Sequence, residues 1–444
     1  MARSLFFILL FPFLTSSAEN LPTSGTLLWR VSGNGLLSPS YLYGTMHTRD
    51  KRAFHFSDSV LVCFTNCSRF AMELKVDEIN SEEVLSNMML DSGQSVEDFL
   101  SAAQFDSLKT KIESSTGLPA NLFVRMKPVF IATLLSGGDV LKDSTDKNSN
   151  LFFLDEYFEQ MAKKSGMKVD ALEQVQTQLN VFNSLTMSQQ IDFMMNYVRS
   201  DAQPETLDTF IDHYINGDIS VLLEGEEFEM LSKDFVSHIL YNRNKGMADQ
   251  VERMAREQST FAAFGAAHLC GDSGVISLLR KKGYTVDPVF PSYNNQTEEG
   301  WNYVYPESTI GFAMPGLIFP EPDTIRLTNK TEVTNKIKYV RWFSQGINRY
   351  CIVPGYLGTG KNSLSEIMKE AGFGNNSLSK IKNPFTTRRD VRAYKMKPTS
   401  GYLFVVENGN ETAVAIVYNP DILNHDEIKK FLSVIRLKVS SIAY

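Results

Sequence analysis

Residues 40–50 read Ser-Tyr-Leu-Tyr-Gly-Thr-Met-His-Thr-Arg-Asp, and residues 260–271 read Thr-Phe-Ala-Ala-Phe-Gly-Ala-Ala-His-Leu-Cys-Gly. Each is a short apolar run, then Gly, two small or apolar residues, and His. The runs have the length and aromatic content of β-strands. Gly44 and Gly265 are expected to let the chain turn sharply where the strands end. His47 and His268 then fall at the lip of a sheet, where α/β proteins bind ligands. Two such lips can present two imidazoles to one point.

A third run, Arg69-Phe-Ala-Met-Glu-Leu, carries Glu73. A carboxyl group inside an apolar strand is costly unless it is paired or bound to a metal. Two His and one carboxylate suit zinc or another divalent ion, such as manganese or cobalt, with a position left open for water. His47 and His268 would be neutral ligands. Glu73 would be a third ligand or the general base that takes the water's proton. The plainer alternative is that both imidazoles hydrogen-bond within the core.

The surrounding sequence sets the frame. The chain has 444 residues, 43% of them hydrophobic, enough for a sizeable core and for two domains. Arg3, the apolar run 5–14 and Ser16-Ser17-Ala18 read as a secretory signal over residues 1–18. That run is too short to span a bilayer, and no later stretch reads as a transmembrane segment. A secreted or periplasmic protein is expected. Four cysteines are too few for a disulfide-built fold. Cys63 and Cys67 are spaced to pair with each other, and Cys270 reads as core.

Charge divides the chain. Residues 300–444 hold 19 basic and 12 acidic side chains, net +7, whereas residues 19–299 hold 24 and 39, net −15. The asymmetry supports two domains. The C-terminal basic residues are scattered, so nucleic-acid binding is not expected.

In order, strands are expected at residues 27–31 and 41–43, a short helix near 57–64, and a strand at 70–74. Helical patterns follow at 82–90 and from Ser95 to the stop at Gly117-Leu118-Pro119, then at 121–135 with a kink at Pro128. A polar loop at 137–150 leads to a helix at 151–164 and a strand at 167–172 ending at Glu173. Two or three helices span 176–217. One long helical pattern spans 226–257, open to a break at Gly246. The second His-bearing strand is followed by a helix at 273–282 and a strand at 284–286. After a Pro/Asn/Glu-rich linker at 287–306 the pattern turns to strands at 349–353, 402–407 and 412–418, with helices at 364–371 and 426–434. That tail reads as a small α+β domain.

The blocks "LLWRVSGNGLLSPSYLYGTMHTRD", "FAMELK", "LDEYFEQMAKKSGMKVDALEQVQTQ", "HYINGDISVLL" and "LYNRNKGMADQVERMAREQSTFAAFGAAHLCGDSGVISLLRKKGYTV" together resemble the TraB/PrgY/GumN family, which includes the TIKI metalloproteases that cut Wnt proteins near their N-terminus. The resemblance covers about residues 27–287, with the blocks in the family's order. It implies an α/β fold: a mixed sheet with many surrounding helices, similar to erythromycin esterases and ChaN-like proteins. It also implies metal-dependent hydrolysis of a peptide or protein. By position, the first GxxH is Gly44 and His47, the acid is Glu73, and the second GxxH is Gly265 and His268. Glu173, Arg243 and Asn244 match further family blocks without an assigned role. The domain expectation is a leader at 1–18, a TIKI-like domain at 19–290, a linker at 291–306 and a C-terminal α+β domain at 307–444. The TIKI members' C-terminal membrane span has no counterpart in that last segment.

From the residues alone, Glu173 reads as a ligand-orienting carboxylate or as a helix-start acid. Arg243 reads as a substrate or oxyanion contact, or as a salt-bridged helix Arg. His55, His213, His238 and His425 read as structural or exposed. Residues 355–361 resemble a phosphate loop, but Asn362 stands where Ser or Thr should hold magnesium. No HExxH is present. Asn66, Asn295, Asn329, Asn375 and Asn410 begin glycosylation sequons. The alternative function is a non-catalytic protein that binds metal, haem or a peptide on the same scaffold.

Overall fold

The structure is a computed structural model. It describes residues 25–437 apart from 55, 58, 76–80, 137–151, 200–203, 219–236, 291–300, 305–309, 316, 330–331, 346–347, 355–363, 365–367, 370–372, 410 and 420–421. The expected leader, the loop at 137–150, the first part of the long helix at 226–257, His55, the phosphate-loop-like stretch, most of the helix expected at 364–371, and the sequons at Asn295 and Asn410 lie outside the described residues.

The chain divides into two compact units. One comprises residues 1–53, 67–159 and 169–289; the other comprises 54–66, 160–168 and 290–444. The first is built on a six-stranded sheet of β1 Leu28–Ser32, β2 Ser40–Thr45, β3 Arg69–Met72, β4 Lys168–Ala171, β5 Thr260–Gly265 and β6 Thr285–Pro288, in the order β4-β3-β5-β2-β1-β6. β5 lies parallel to both of its neighbours, with Met72 opposite Ala263 and Thr45 opposite Gly265. β1 is antiparallel to β2 and β6. The sheet is therefore mixed, as the α/β reading expected.

The middle strands explain why the two His-bearing runs were legible. Every residue of β2 and β5 is buried. Parallel strands covered on both faces read as continuous apolar runs rather than alternations. On one face Phe158 packs its ring against Tyr43, Phe70 and Phe261, from β2, β3 and β5, at centroid distances of 5.2, 6.4 and 5.8 Å.

The helices follow the sequence with three corrections. The unit contains α2 Ser81–Met88, α3 Ala102–Thr116, α4 Pro128–Ser136, the start of α5 Leu154–Lys164, α6 Val175–Asn183, α7 Met187–Arg199, α8 Pro204–Ile215, α9 Arg243–Glu257 and α10 Val275–Lys281, while α1 Val60–Thr65 belongs to the second unit. The helix expected from Ser95 is split. Ser95 and Ser101 each build a capping box, so a short 3-10 turn ends before α3 begins. Pro128 starts α4 instead of kinking a longer helix. Its missing N–H and fixed φ suit that first position. The helix expected from residue 151 begins at Leu154. α9 runs unbroken through Gly246, and a π-helical turn, Ser237–Asn242, leads into it.

The second unit is antiparallel. β9 Phe319–Asn329, β10 Glu332–Gln345, β11 Arg349–Pro354, β12 Ser377–Ile381, β13 Val391–Lys397, β14 Gly401–Asn408 and β15 Glu411–Tyr418 form a sheet ordered β12-β13-β14-β15-β11-β10-β9. β7 Trp301–Val304, β8 Ile310–Pro315 and β16 Arg436–Leu437 form a smaller one. Trp301–Val304 is thus a strand within the stretch read as linker. α11 His425–Ser433 stacks Phe431 on Phe312 of β8 at 5.9 Å. This is the α+β character expected of the tail.

Gly44 corrects a physical reason. Neither Gly44 nor Gly265 has a positive φ, so neither is there to permit a left-handed turn. A Cβ on Gly44 would lie 2.8 Å from Leu269 Cδ1, 2.9 Å from Ala266 Cβ and 3.0 Å from Ala266 Cα. The first GxxH packs directly on the second, and only Gly allows the approach. Gly44→Ala is expected to destabilise the fold by about 1–3 kcal/mol, the usual range for overpacking. Urea denaturation measures this, and an unchanged midpoint would refute it.

Candidate functional site

Glu73, His47 and His268 all emerge from the C-terminal ends of the three adjacent parallel strands. Glu73 directly follows β3. His47 lies two residues beyond β2. His268 closes a 3-10 turn, Ala266–His268, that follows β5. Open α/β sheets place ligands at this edge.

Glu73 does not stand alone. Its Oε1 accepts from Arg243 Nη2 and, at 3.0 Å, from Gln178 Nε2; its Oε2 accepts from the Gly265 backbone N–H at 3.3 Å. Arg243 also grips Glu173, donating from Nη2 to Oε1 and from Nε to Oε2 at 3.1 Å. Gln178 Nε2 bridges to Glu173 Oε1 at 2.6 Å. All these side chains are buried; those of Arg243 and Glu73 are each 8% exposed. Burial pulls the Arg243 guanidinium toward neutrality, but Glu173 and then Glu73 outweigh it, so its pKa lies above the ordinary value. The cluster sets two carboxyl groups against one guanidinium.

Asn244, the next residue, serves His268. Asn244 Nδ2 donates to the Ser273 carbonyl at 2.8 Å, which turns Oδ1 toward His268 Nδ1 at 2.6 Å. The opposite amide orientation would set two carbonyl oxygens together. His268 Nδ1 therefore carries the proton, and Nε2 keeps its lone pair. Nε2 lies 4.0 Å from Glu73 Oε1. Burial first, then the Arg243 charge, lower the His268 pKa to about 3 against an opposing pull from Glu173. At neutral pH the ring is uncharged.

His47 has its own setting. Its ring stacks on Phe153 at 3.9 Å and 15°, and Nδ1 faces Asp155 Oδ2 at 3.4 Å. Tyr214 of α8 donates to the Gly44 carbonyl at 2.9 Å, which ties the first GxxH to that helix.

Of the residues singled out from sequence, Glu73, Glu173, Arg243 and Gly265 form one hydrogen-bonded cluster, and the Asn244–His268 pair lies beside it, with His268 Nε2 4.0 Å from Glu73 Oε1. His47 stands at the end of the strand next to β5. Asp155 and Gln178 were missed. Asp155 is one of two successive acids at a helix start, and Gln178 lies in a Gln-rich helix; neither composition marks a site. Cys270 is core, as read: its thiol packs toward the Ala266 carbonyl and burial pushes it up to about 12. Cys63 and Cys67 do not form a disulfide in the structure. His213 faces Asp218 at 3.7 Å, and His425 is exposed.

Among the described residues no three His, Cys, Asp or Glu side chains are grouped to hold a metal as they lie. The donors nonetheless suit one. His268 presents an Nε2 lone pair, with Nδ1 held by an outer partner, the usual arrangement of a ligating imidazole. Gln178, 3% exposed, has a buried Oε1 with no hydrogen-bond partner among the described residues. The excess of acid over base favours a cation. Glu73 fits less well as a direct ligand, because both of its oxygens are engaged.

The TraB/PrgY/gumN family model matches residues 27–288, a span that contains every residue of this cluster together with His47 and Asp155. The chain is 25% identical over 376 residues to metalloprotease TIKI1 of Danio rerio, covering 72% of this chain and 75% of that protein. It is 26% identical over 323 residues to a metalloprotease TIKI homolog of Nematostella vectensis, covering 60% and 67%. With metalloprotease TIKI2 of Xenopus tropicalis it shares 26% over 339 residues, covering 62% and 61%. No solved structure matches the chain. Among the described residues, no helix is long and apolar enough to cross a membrane.

Proposed function

The chain belongs to the TraB/PrgY/gumN family, and we propose that it is a metal-dependent hydrolase of peptide or protein substrates. His47 and His268 would hold the ion through their Nε2 lone pairs, and Glu73 would serve as a clamped acid at the same end of the sheet. The observation that carries this reading is the Asn244–His268 pair. A buried, neutral imidazole with Nδ1 fixed by an outer oxygen is a ligand already in its binding tautomer. When bound, a divalent ion polarises a carbonyl and lowers the pKa of its water.

The chain's own residues supply the setting. Gln178 and Arg243 fix Glu73 and Glu173 in place, so the carboxyl oxygens need not reorganise during reaction. Within this proposal the organisation is a leader at 1–18, the catalytic domain at 19–290, and the α+β domain at 307–444. The protein acts outside the cytoplasm.

The test is cleavage of a mixed peptide library read by mass spectrometry. Cleavage is expected with manganese, cobalt or zinc, lost on chelation and restored by re-addition. The second reading, binding without cleavage, draws on Glu73, whose two oxygens are both taken. Metal-loaded protein that retains peptides but leaves them intact would establish that reading and overturn hydrolysis.

A further inference from the structure

We propose that Asp155 is the positioning residue of His47, fixing its tautomer as Asn244 fixes that of His268. The proposal rests on the metal-site reading for its purpose but not for its geometry.

Three contacts tie residues 47–48 to residues 153–155. The Phe153 ring stacks on the imidazole at 3.9 Å and sets its plane. The Leu154 N–H donates to the Thr48 carbonyl at 3.1 Å and sets the approach of α5. Asp155 Oδ2 then meets His47 Nδ1 at 3.4 Å. The His47 side chain is 6% exposed and that of Asp155 16%, so solvent screens the pair little.

The plain role for an acid at this position is to favour the helix N-terminus. Both Asp155 and Glu156 lie in the first turn, but the hydrogen bond at the helix start is made by Glu156. Glu156 Oε2 accepts from the Phe153 N–H at 3.0 Å, closing the start of α5. Asp155 is directed at the histidine instead. A carboxylate oxygen only accepts, so Nδ1 must carry the proton and the lone pair falls on Nε2. In water a free imidazole favours the other tautomer, with the proton on Nε2, which cannot bind a metal through that atom. Asp155 thus selects the form that ligates.

The two histidines are matched in tautomer and differ in partner. His268 has a neutral amide and is surrounded by Arg243, Glu73 and Glu173; His47 has a carboxylate. An anionic partner makes the imidazole a stronger donor. His47 is therefore the stronger ligand of the pair, and Asp155 accounts for the difference.

The experiment is long-range proton–nitrogen NMR on the full-length, metal-free protein labelled at histidine, at pH 8, where an ordinary imidazole with its pKa of about 6.5 is neutral. Wild type is compared with Asp155→Asn and Asp155→Leu, and cobalt(II) affinity is measured on the same samples by absorbance titration. His47 is expected as the Nδ1–H tautomer in wild type and in Asp155→Asn, whose amide oxygen can still accept. In Asp155→Leu it should shift toward Nε2–H, and cobalt binding should weaken roughly 10–100-fold, the usual effect of losing an outer partner. An Nε2–H tautomer for His47 in wild type overturns the proposal. So does an unchanged tautomer in Asp155→Leu, whatever cobalt does. The expected tautomers with no cobalt binding by any of the three proteins would keep Asp155 as the positioning residue and remove the metal reading instead.

Discussion

Arg243→Leu is expected to lower the free energy of unfolding by about 3–5 kcal/mol, the range for breaking a buried ion pair by removing one partner. The size follows from what remains. Arg243 donates to both Glu73 and Glu173, and among the described residues its removal leaves the amide of Gln178 and one backbone N–H, from Gly265, to donate to two buried carboxyl groups. Burial of an unpaired charge is far costlier than the loss of a surface pair. Adding Glu173→Gln to Arg243→Leu should recover part of the loss, because one acid is then neutral. Urea denaturation followed by circular dichroism measures both. A loss under about 1 kcal/mol, typical of an exposed pair, would mean that the cluster is open to water.

The second large effect is on metal binding. His268→Ala and His47→Ala each remove one of two nitrogen donors. The expected loss of affinity exceeds the roughly 10–100-fold that accompanies the loss of an outer partner. Stability should respond differently at the two positions. His268 is buried with Asn244 on one side and Phe264 edge-on at 6.4 Å, so its removal also frees the Asn244 amide oxygen. His47→Ala removes the ring stacked on Phe153 and the 3.4 Å contact with Asp155. Circular dichroism on each variant separates a lost ligand from a lost fold.

Much of this architecture was legible for physical reasons. β2 and β5 read as apolar runs because both of their faces are covered, and Glu73 stood out because a carboxyl group in such a run needs a partner. That partner was harder to see. Arg243 could be read as a salt-bridged surface Arg, yet Arg243, Met247, Val251 and Met254 recur at spacings of four, four and three. That is one helix face, and all four are buried. The apolar period of α9 already placed the guanidinium inside. Asp155 offers no such signal, since it shares its helix start with Glu156 and only the fold decides which acid caps and which faces His47. The role of Gly44 was misread for a related reason. Sequence suggests a turn wherever Gly follows a strand, whereas the close approach of Ala266 and Leu269 depends on pairing across more than two hundred residues. Pro128 shows the same limit, because whether Pro kinks or starts a helix depends on what precedes it.

The most direct test of the central claim is metal stoichiometry by elemental mass spectrometry after reconstitution with manganese, cobalt and zinc in turn. Wild type, His47→Ala, His268→Ala and Glu73→Gln would be compared, each first confirmed folded. Wild type is expected to retain an ion, and both histidine variants to lose it. Glu73→Gln should keep it more weakly, since the substitution removes a nearby negative charge but no free donor, both Glu73 oxygens being engaged. Wild-type protein that retains none of the three metals, or histidine variants that retain as much as wild type, would rule out a metal held by His47 and His268.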